Sequence, residues 1–330
     1  MKFRKGKRKA ISPGIEAIDS ALRNKMRGSV ERDVALAGFT TFNIGGPADL
    51  LVIPKGKEDL LLAARAVADS GESYLVLGKG SNVLISDQGY RGVVILLSEG
   101  MRRIWIKGKD MVEVEAGCSL DRLIRFAMGR GLGGVEGLSG IPGTVGGAVR
   151  MNAGAKGTCM GDRVREISLL RIGEGWVRDS VMSADEIGFS YRQTELTEQE
   201  LVYKVKLELY KDFRQELDEH RREVLKWRRD NQPLDLPSAG SVFRNPEGAS
   251  AGELIEKCGL KNLRIGDAMV SEVHANFIVN AGAATAEDVY ELILHVKENV
   301  LNEEGVALQE EIKLLGMVPG TCRDCRRLGL

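Results

Sequence analysis

Residues 133–157 read GGVEGLSGIPGTVGGAVRMNAGAKG, and glycine recurs there so densely that backbone, not side chain, must approach whatever the segment meets. Gly137, Gly140, Gly143, Gly146 and Gly147 permit positive φ and remove every Cβ from the approach path, so successive amide N–H groups can converge on an anion. Phosphate suits such a cradle, and Pro142 stiffens the turn. A mobile linker would be filled out with Ser, Thr and charge. This stretch is interleaved instead with Leu138, Ile141, Val145, Val149 and Met151, which anchor it to a core.

Two more glycine turns lie upstream. Thr40-Thr-Phe-Asn-Ile-Gly45-Gly46-Pro47 leads into an apolar strand at 48–53, and Gly78-Lys79-Gly80-Ser81-Asn82 follows a strand at 74–77. The second turn lacks the glycine five residues before its lysine and the third glycine of a dinucleotide fingerprint. Neither a P-loop nor a Rossmann turn is therefore expected. A helix at 57–70, with Leu60, Leu61, Ala64 and Val67 on one stripe, and a strand at 93–97 complete an α/β unit over 1–98. Residues 14–28 have helical texture.

Alternation at 101–106 and 112–116 predicts antiparallel strands, and Ser119 caps a helix that turns Leu120, Leu123, Ile124, Ala127 and Met128 inward. Strands at 164–172 and 201–210 follow, giving a second unit over 99–211. A charged helix at 211–230, ended by Asn231-Gln232-Pro233, leads into a third unit over 212–330. There Ser250 and Glu253 form a capping box, and Thr285 with Asp288 starts a helix whose stripe is Val289, Leu292, Ile293, Val296 and Val300. The unit closes on an alternating strand at 307–315 that holds Glu310 and Glu311.

The chain has 330 residues, 43% of them hydrophobic, with 47 Lys plus Arg against 47 Asp plus Glu. Such a balance provides no overall field for nucleic acid or an acidic membrane, so an anionic ligand must be met locally. The basic head MKFRKGKRKA precedes no apolar core region, which argues against a secretory signal, and no run is long enough to span a membrane. Cysteines at 118, 159, 258, 322 and 325 are scattered and odd in number. They predict a reducing compartment, with cytoplasm as the expectation. Cys322-Arg-Asp-Cys325 has no second pair to complete a tetrahedral zinc site, and with three histidines in the chain no metal centre is expected.

Taken together and in order, TTFNIGGPAD (40–49), LGKGSNVLISD (77–87), GLSGIPGTVGGAVRMNAGA (137–155), FSYRQTEL (189–196), PSAGSVFRNP (237–246), HANFIVN (274–280) and ALQEEIKLLG (307–316) resemble the UDP-N-acetylenolpyruvoylglucosamine reductase (MurB) family of peptidoglycan synthesis. The resemblance runs over about 14–316. It implies an α+β protein: a two-part FAD-binding domain of the vanillyl-alcohol-oxidase (PCMH) type plus a C-terminal α+β substrate-binding domain. It also implies NADPH-dependent, FAD-mediated reduction of UDP-N-acetylglucosamine enolpyruvate to UDP-N-acetylmuramate. The partner would be a small nucleotide sugar, with no nucleic acid, membrane or obligate protein partner.

On this resemblance the glycine turns hold FAD through Gly45, Gly46, Gly78, Lys79, Gly80, Ser81 and Asn82, and through Ser139, Gly140, Ile141, Pro142, Gly143, Thr144, Gly146, Gly147 and Asn152. Ser81, Asn82, Ser139 and Asn152 would add side-chain donors. Arg192 and Glu311 would flank the enolpyruvyl carboxylate, and Ser241 would donate a proton to the carbon left behind after hydride transfer. Tyr191 and Asn245 would contact substrate, with Gln232 and Arg229 as weaker candidates.

Taken one at a time, Arg192 reads better as a surface ion-pair partner, Glu311 as an exposed strand residue and Ser241 as a turn residue; only the set of motifs favours the functional roles. Strand alternation lets only one of Glu310 and Glu311 face the site. The chain lacks the inserted tyrosine loop of one branch of the family and so resembles the shorter branch. It carries Lys156 where the family pattern NAGAYG has an aromatic. An oxidase of the same fold would lack the Arg192, Ser241 and Glu311 set, and a non-catalytic nucleotide-binding module would hold ligand without consuming NADPH.

Overall fold

The computed structural model describes residues 11–155 and 157–317. Lys156, the basic head and Cys322–Cys325 fall outside these residues. The first unit is a four-stranded sheet in the order Ser29–Ala35, Pro47–Ile53, Tyr90–Leu96, Tyr74–Leu77. The outer pair is antiparallel and the other two are parallel. Helix Lys57–Ser70 makes the crossover between parallel strands, with Leu60, Ala63, Ala64 and Val67 buried and Gly71 ending it at φ 67°. The helical texture at 14–28 resolves into a helix at Pro13–Arg23, capped by Ser12, followed by the unexpected edge strand Ser29–Ala35.

The second unit is a five-stranded antiparallel sheet in the order Trp176–Ser183, Val164–Gly173, Glu200–Glu208, Met111–Glu115, Ile104–Ile106. Helix Leu120–Met128 packs the five expected side chains inward beneath its Ser119 cap. Strand Trp176–Ser183 was not foreseen. It is the outer arm of a tight hairpin in which Gly173 pairs with Trp176 and Gly175 takes φ 70°. As an edge strand it exposes most of its side chains, so its sequence carries little hydrophobic alternation. One continuous core joins this sheet to helix Lys57–Ser70 and the first sheet.

The third unit has a four-stranded antiparallel sheet, Ser238–Ser241, Phe277–Asn280, Ala268–Val270, Arg264–Ile265, covered by helices Ala251–Lys257 and Ala286–Glu304. Its core takes in Phe42, Ile44 and Leu84 from the first unit. Asp87, also from the first unit, accepts the Ala286 and Glu287 N–H groups at 3.0 and 3.2 Å, adding to the Thr285–Asp288 capping box.

The closing strand differs from expectation. Only Lys313–Leu315 is regular strand, and it pairs in parallel with Val83–Ile85 of the first unit. Residues 307–312 instead make a single bridge, Glu310 opposite Phe243. The partner segment turns away at once into Asn245-Pro246, and proline has no N–H to extend a ladder. The charged connecting helix, Arg214–Asn231, packs against 136–138 and Leu120–Met128 of the second unit.

Candidate active site

The glycine turns converge. Thr41 N–H donates to the Gly80 carbonyl at 3.2 Å, joining the first turn to the second. A Cβ on Gly78 would collide with Thr144 Oγ1, and one on Gly143 would lie 3.6 Å from Ser81 Oγ, so the second turn rests on the third. Gly80 at φ 58° abuts the Phe39 carbonyl, and Gly146 would bring a Cβ within 2.7 Å of that of Ala116. A Cβ on Gly143 would meet protein atoms only at ordinary contact distance, and among the described residues the buried Ser139 Oγ has no hydrogen-bond partner. A cradle that a methyl group would fill, beside an orphaned buried hydroxyl, fits a phosphate-bearing cofactor such as FAD.

Two expected side-chain donors are committed elsewhere. Asn152, at φ 40°, donates from Nδ2 to the Ser190 carbonyl at 2.9 Å and accepts Gly161 N–H on Oδ1 at 3.0 Å. Its side chain therefore anchors the Ser190–Gln193 turn rather than facing a cofactor. Asn82 donates from Nδ2 to the Glu311 carbonyl at 3.2 Å, and its own carbonyl accepts Lys313 N–H at 2.9 Å. Lys79 is exposed.

Ser190 and Gln193 close on each other in a two-residue turn that lifts Tyr191 and Arg192. Thr194 Oγ1 ties the same turn to the Arg150 carbonyl at 3.0 Å. Arg192 takes φ 55°, a left-handed conformation that side chains disfavour and that surrounding contacts must hold. Its Nε lies 3.4 Å from Glu311 Oε1 without forming a hydrogen bond. The guanidinium sits 5.8 Å from the ring of Tyr191, which is 61% exposed.

Glu311 is placed from two sides. Its N–H donates to the Val242 carbonyl at 2.7 Å, next to Ser241, and its carbonyl takes the Asn82 amide. Glu310 points away to Lys297, 2.7 Å distant, so Glu311 is the member of the pair that faces Arg192. Burial pushes the Glu311 carboxyl above its ordinary range, while Arg192 and Arg244 pull it back. Arg192, Glu311 and the Ser241–Val242 segment thus meet where the second and third units face each other.

Arg228 was missed in favour of Arg229. Helix register turns Arg229 to solvent and buries Arg228 with Val224 and Leu217. The signal was available in the i, i+4 spacing of Val224 and Arg228, masked by the charge of the whole helix. Arg228 lies against Gly140, 2.8 Å from where a Cβ would stand, and its Nε has no partner. Burial, with Arg192 adding like-charge repulsion, lowers it to about 10. Gln232 Oε1 is also buried and unpartnered. Asn245 is exposed, and its Oδ1 already accepts Ala251 N–H at 3.0 Å, leaving the amide nitrogen to meet a ligand.

Residues 48–179 match the FAD binding domain family, which with the glycine cradle makes the protein a flavin-dependent oxidoreductase with a two-part FAD-binding domain and a C-terminal α+β domain. Residues 232–315 match the C-terminal domain of UDP-N-acetylenolpyruvoylglucosamine reductase. The chain is 40% identical over 291 residues to the UDP-N-acetylenolpyruvoylglucosamine reductase of Pelobacter propionicus, covering 88% of this chain and 97% of that one. It is 43% identical over 310 residues to UDP-N-acetylenolpyruvoylglucosamine reductase 2 of Symbiobacterium thermophilum, covering 94% and 99%. The crystal structure of the Thermus caldophilus enzyme superposes with a TM-score of 0.74 at 39% identity, over 88% of this chain and 99% of that one. The chain belongs to the UDP-N-acetylenolpyruvoylglucosamine reductase family. Among the described residues no helix is long and apolar enough to cross a membrane.

Proposed function

We propose that the protein uses NADPH to reduce the enol-ether double bond of UDP-N-acetylglucosamine enolpyruvate, forming UDP-N-acetylmuramate for peptidoglycan. The observation that carries this reading is the meeting of Arg192, Glu311 and the Ser241 strand end beside the converged glycine turns. FAD, when bound, would supply the chemistry that carries hydride between the two substrates. Gly45, Gly46, Gly78 to Asn82 and Ser139 to Gly147 would hold it, chiefly through backbone donors, with Ser139 Oγ among the side chains.

The chain's own residues act on the acceptor. Arg192 faces the carboxylate conjugated to the double bond, so negative charge that develops as hydride reaches the vinyl carbon meets a fixed cation. Glu311 stands against Arg192 and limits where that guanidinium can swing. Ser241 gives a proton to the adjacent carbon, which an alcohol can do only because the enolate is strongly basic. Arg228, Gln232, Tyr191 and the Asn245 amide surround the approach and suit the diphosphate and uridine. The cysteines at 118, 159 and 258 are free thiols, in keeping with a cytoplasmic site of action.

Stopped-flow absorbance tests the reading. NADPH should bleach the flavin in the absence of oxygen, and the enolpyruvyl substrate should restore its colour. Initial-rate plots should be parallel, because both substrates take turns at one site. Intersecting lines with a demonstrable ternary complex, or no bleaching at all, would overturn it.

A further inference from the structure

Arg244 carries chemistry that the reading above leaves unused. It follows the Ser241–Val242–Phe243 segment, and its N–H donates to the Gln309 carbonyl at 2.9 Å, one residue from the Glu310–Phe243 bridge. Its backbone is therefore paired with the segment that carries Glu311. Its Nη1 donates to Gln193 Oε1 at 3.2 Å, and Gln193 adjoins Arg192 in the turn from the second unit. Among the described residues its Nε is buried with no acceptor, as is that of Arg192. Both guanidinium groups act electrostatically on the Glu311 carboxyl.

Two arginines from different units, tied together through Gln193 and its neighbour Arg192, thus each keep a buried Nε without a hydrogen bond in the neighbourhood of one carboxylate. A buried N–H without an acceptor is costly, and one carboxylate does not neutralise two guanidinium groups. An anion with several acceptor oxygens would satisfy these donors. We propose that Arg244 is a second cation for the substrate carboxylate, clamping it with Arg192, and that Gln193 holds Arg244 in place for this. The inference rests on the substrate assigned under Proposed function. A carboxylate held from two sides is fixed in orientation, and as hydride arrives both cations meet the growing enolate charge. The Gln193–Arg244 bond also joins the second unit to the third across the site.

Calorimetric binding to the oxidised holoprotein tests this without turnover. UDP-N-acetylmuramate carries the carboxylate and UDP-N-acetylglucosamine lacks it. Arg244→Gln should weaken the former about tenfold to a hundredfold while leaving the latter within about twofold. Arg244→Lys should recover part of the loss, since it restores charge without the planar fork. Gln193→Ala should weaken the carboxylate ligand alone by several-fold. Equal losses for both ligands would put Arg244 on the nucleotide and overturn the proposal, as would no change in either. If Arg244→Gln fails to fold, the ratio of the two affinities in Arg244→Lys and Gln193→Ala decides the matter by the same criterion. If the parent protein binds neither nucleotide sugar, the substrate assignment itself falls and the role of Arg244 falls with it.

Discussion

Arg192 Nε stands 3.4 Å from Glu311 Oε1, close enough for charge attraction yet out of line for a hydrogen bond. Arg192 holds this position from a turn at φ 55°, and Glu311 holds it with its peptide bonded to Val242 on one side and Asn82 on the other. Rigid backbone on both partners keeps the charges near each other while leaving donor capacity for a ligand.

The pH dependence of stability follows from this pair. Burial raises the Glu311 carboxyl, so the folded chain holds this proton more tightly than the unfolded chain does. The group's contribution to stability is therefore full below the unfolded pKa and is lost as pH rises through the folded one. Glu311→Gln removes the dependence. Urea denaturation between about pH 4 and about pH 7 should show the parent losing stability relative to the variant as pH rises. A difference that grows in the opposite direction would mean that Arg192 and Arg244 outweigh burial.

Ser241→Ala separates the half-reactions. Reduction by NADPH needs no proton from Ser241 and should keep its parent rate. Turnover should fall by about a hundredfold to ten-thousandfold. Added enolpyruvyl substrate should leave the flavin reduced, or return its colour without product. If the variant reoxidises at the parent rate and makes product, the proton donor lies elsewhere.

Gly143→Ala probes the cradle directly. The new methyl would lie 3.6 Å from Ser81 Oγ and 3.8 Å from Leu120 Cδ1, ordinary contacts, so the apoprotein should stay within about 0.5 kcal/mol of the parent. FAD affinity should fall by at least about tenfold, because the methyl occupies space that a phosphate would take. Unchanged affinity in a fluorescence titration would move the cofactor away from this turn.

Arg228→Met should trade binding for stability. Among the described residues the native guanidinium has no carboxylate partner, and it is buried near Arg192. An apolar side chain of similar reach removes that desolvation and repulsion, so stability should rise by about 1–2 kcal/mol. Nucleotide-sugar affinity should fall. A stability loss in thermal unfolding would show that Arg228 packs rather than binds.

Much of this architecture was legible in the chain because local rules and global packing agree. The helix at 57–70 has its stripe, the helix after Ser119 has its cap, and the glycine turns could be placed from residue type alone. The strands Ser29–Ala35 and Trp176–Ser183 were not legible, since both lie at sheet edges and expose much of their length. Arg228 was hidden among like charges that differ only in which side of a helix they occupy.

The amino-acid sequence by itself determined where backbone must bend or approach closely, which segments bury a stripe, and which polar residues recur in motifs, because these depend on neighbours in the chain. Tertiary structure alone decided which polar atoms were already spent and which remained. Asn152 and Asn82, alike on paper as cofactor donors, became supports for the Arg192 turn and the Glu311 peptide. Arg244, one more basic residue on paper, came to bond Gln193 beside Arg192 and to lie near enough to pull on the Glu311 carboxyl. Hydrogen-bond capacity is consumed pairwise by residues far apart in sequence, so its remainder can be counted only once the units are packed together.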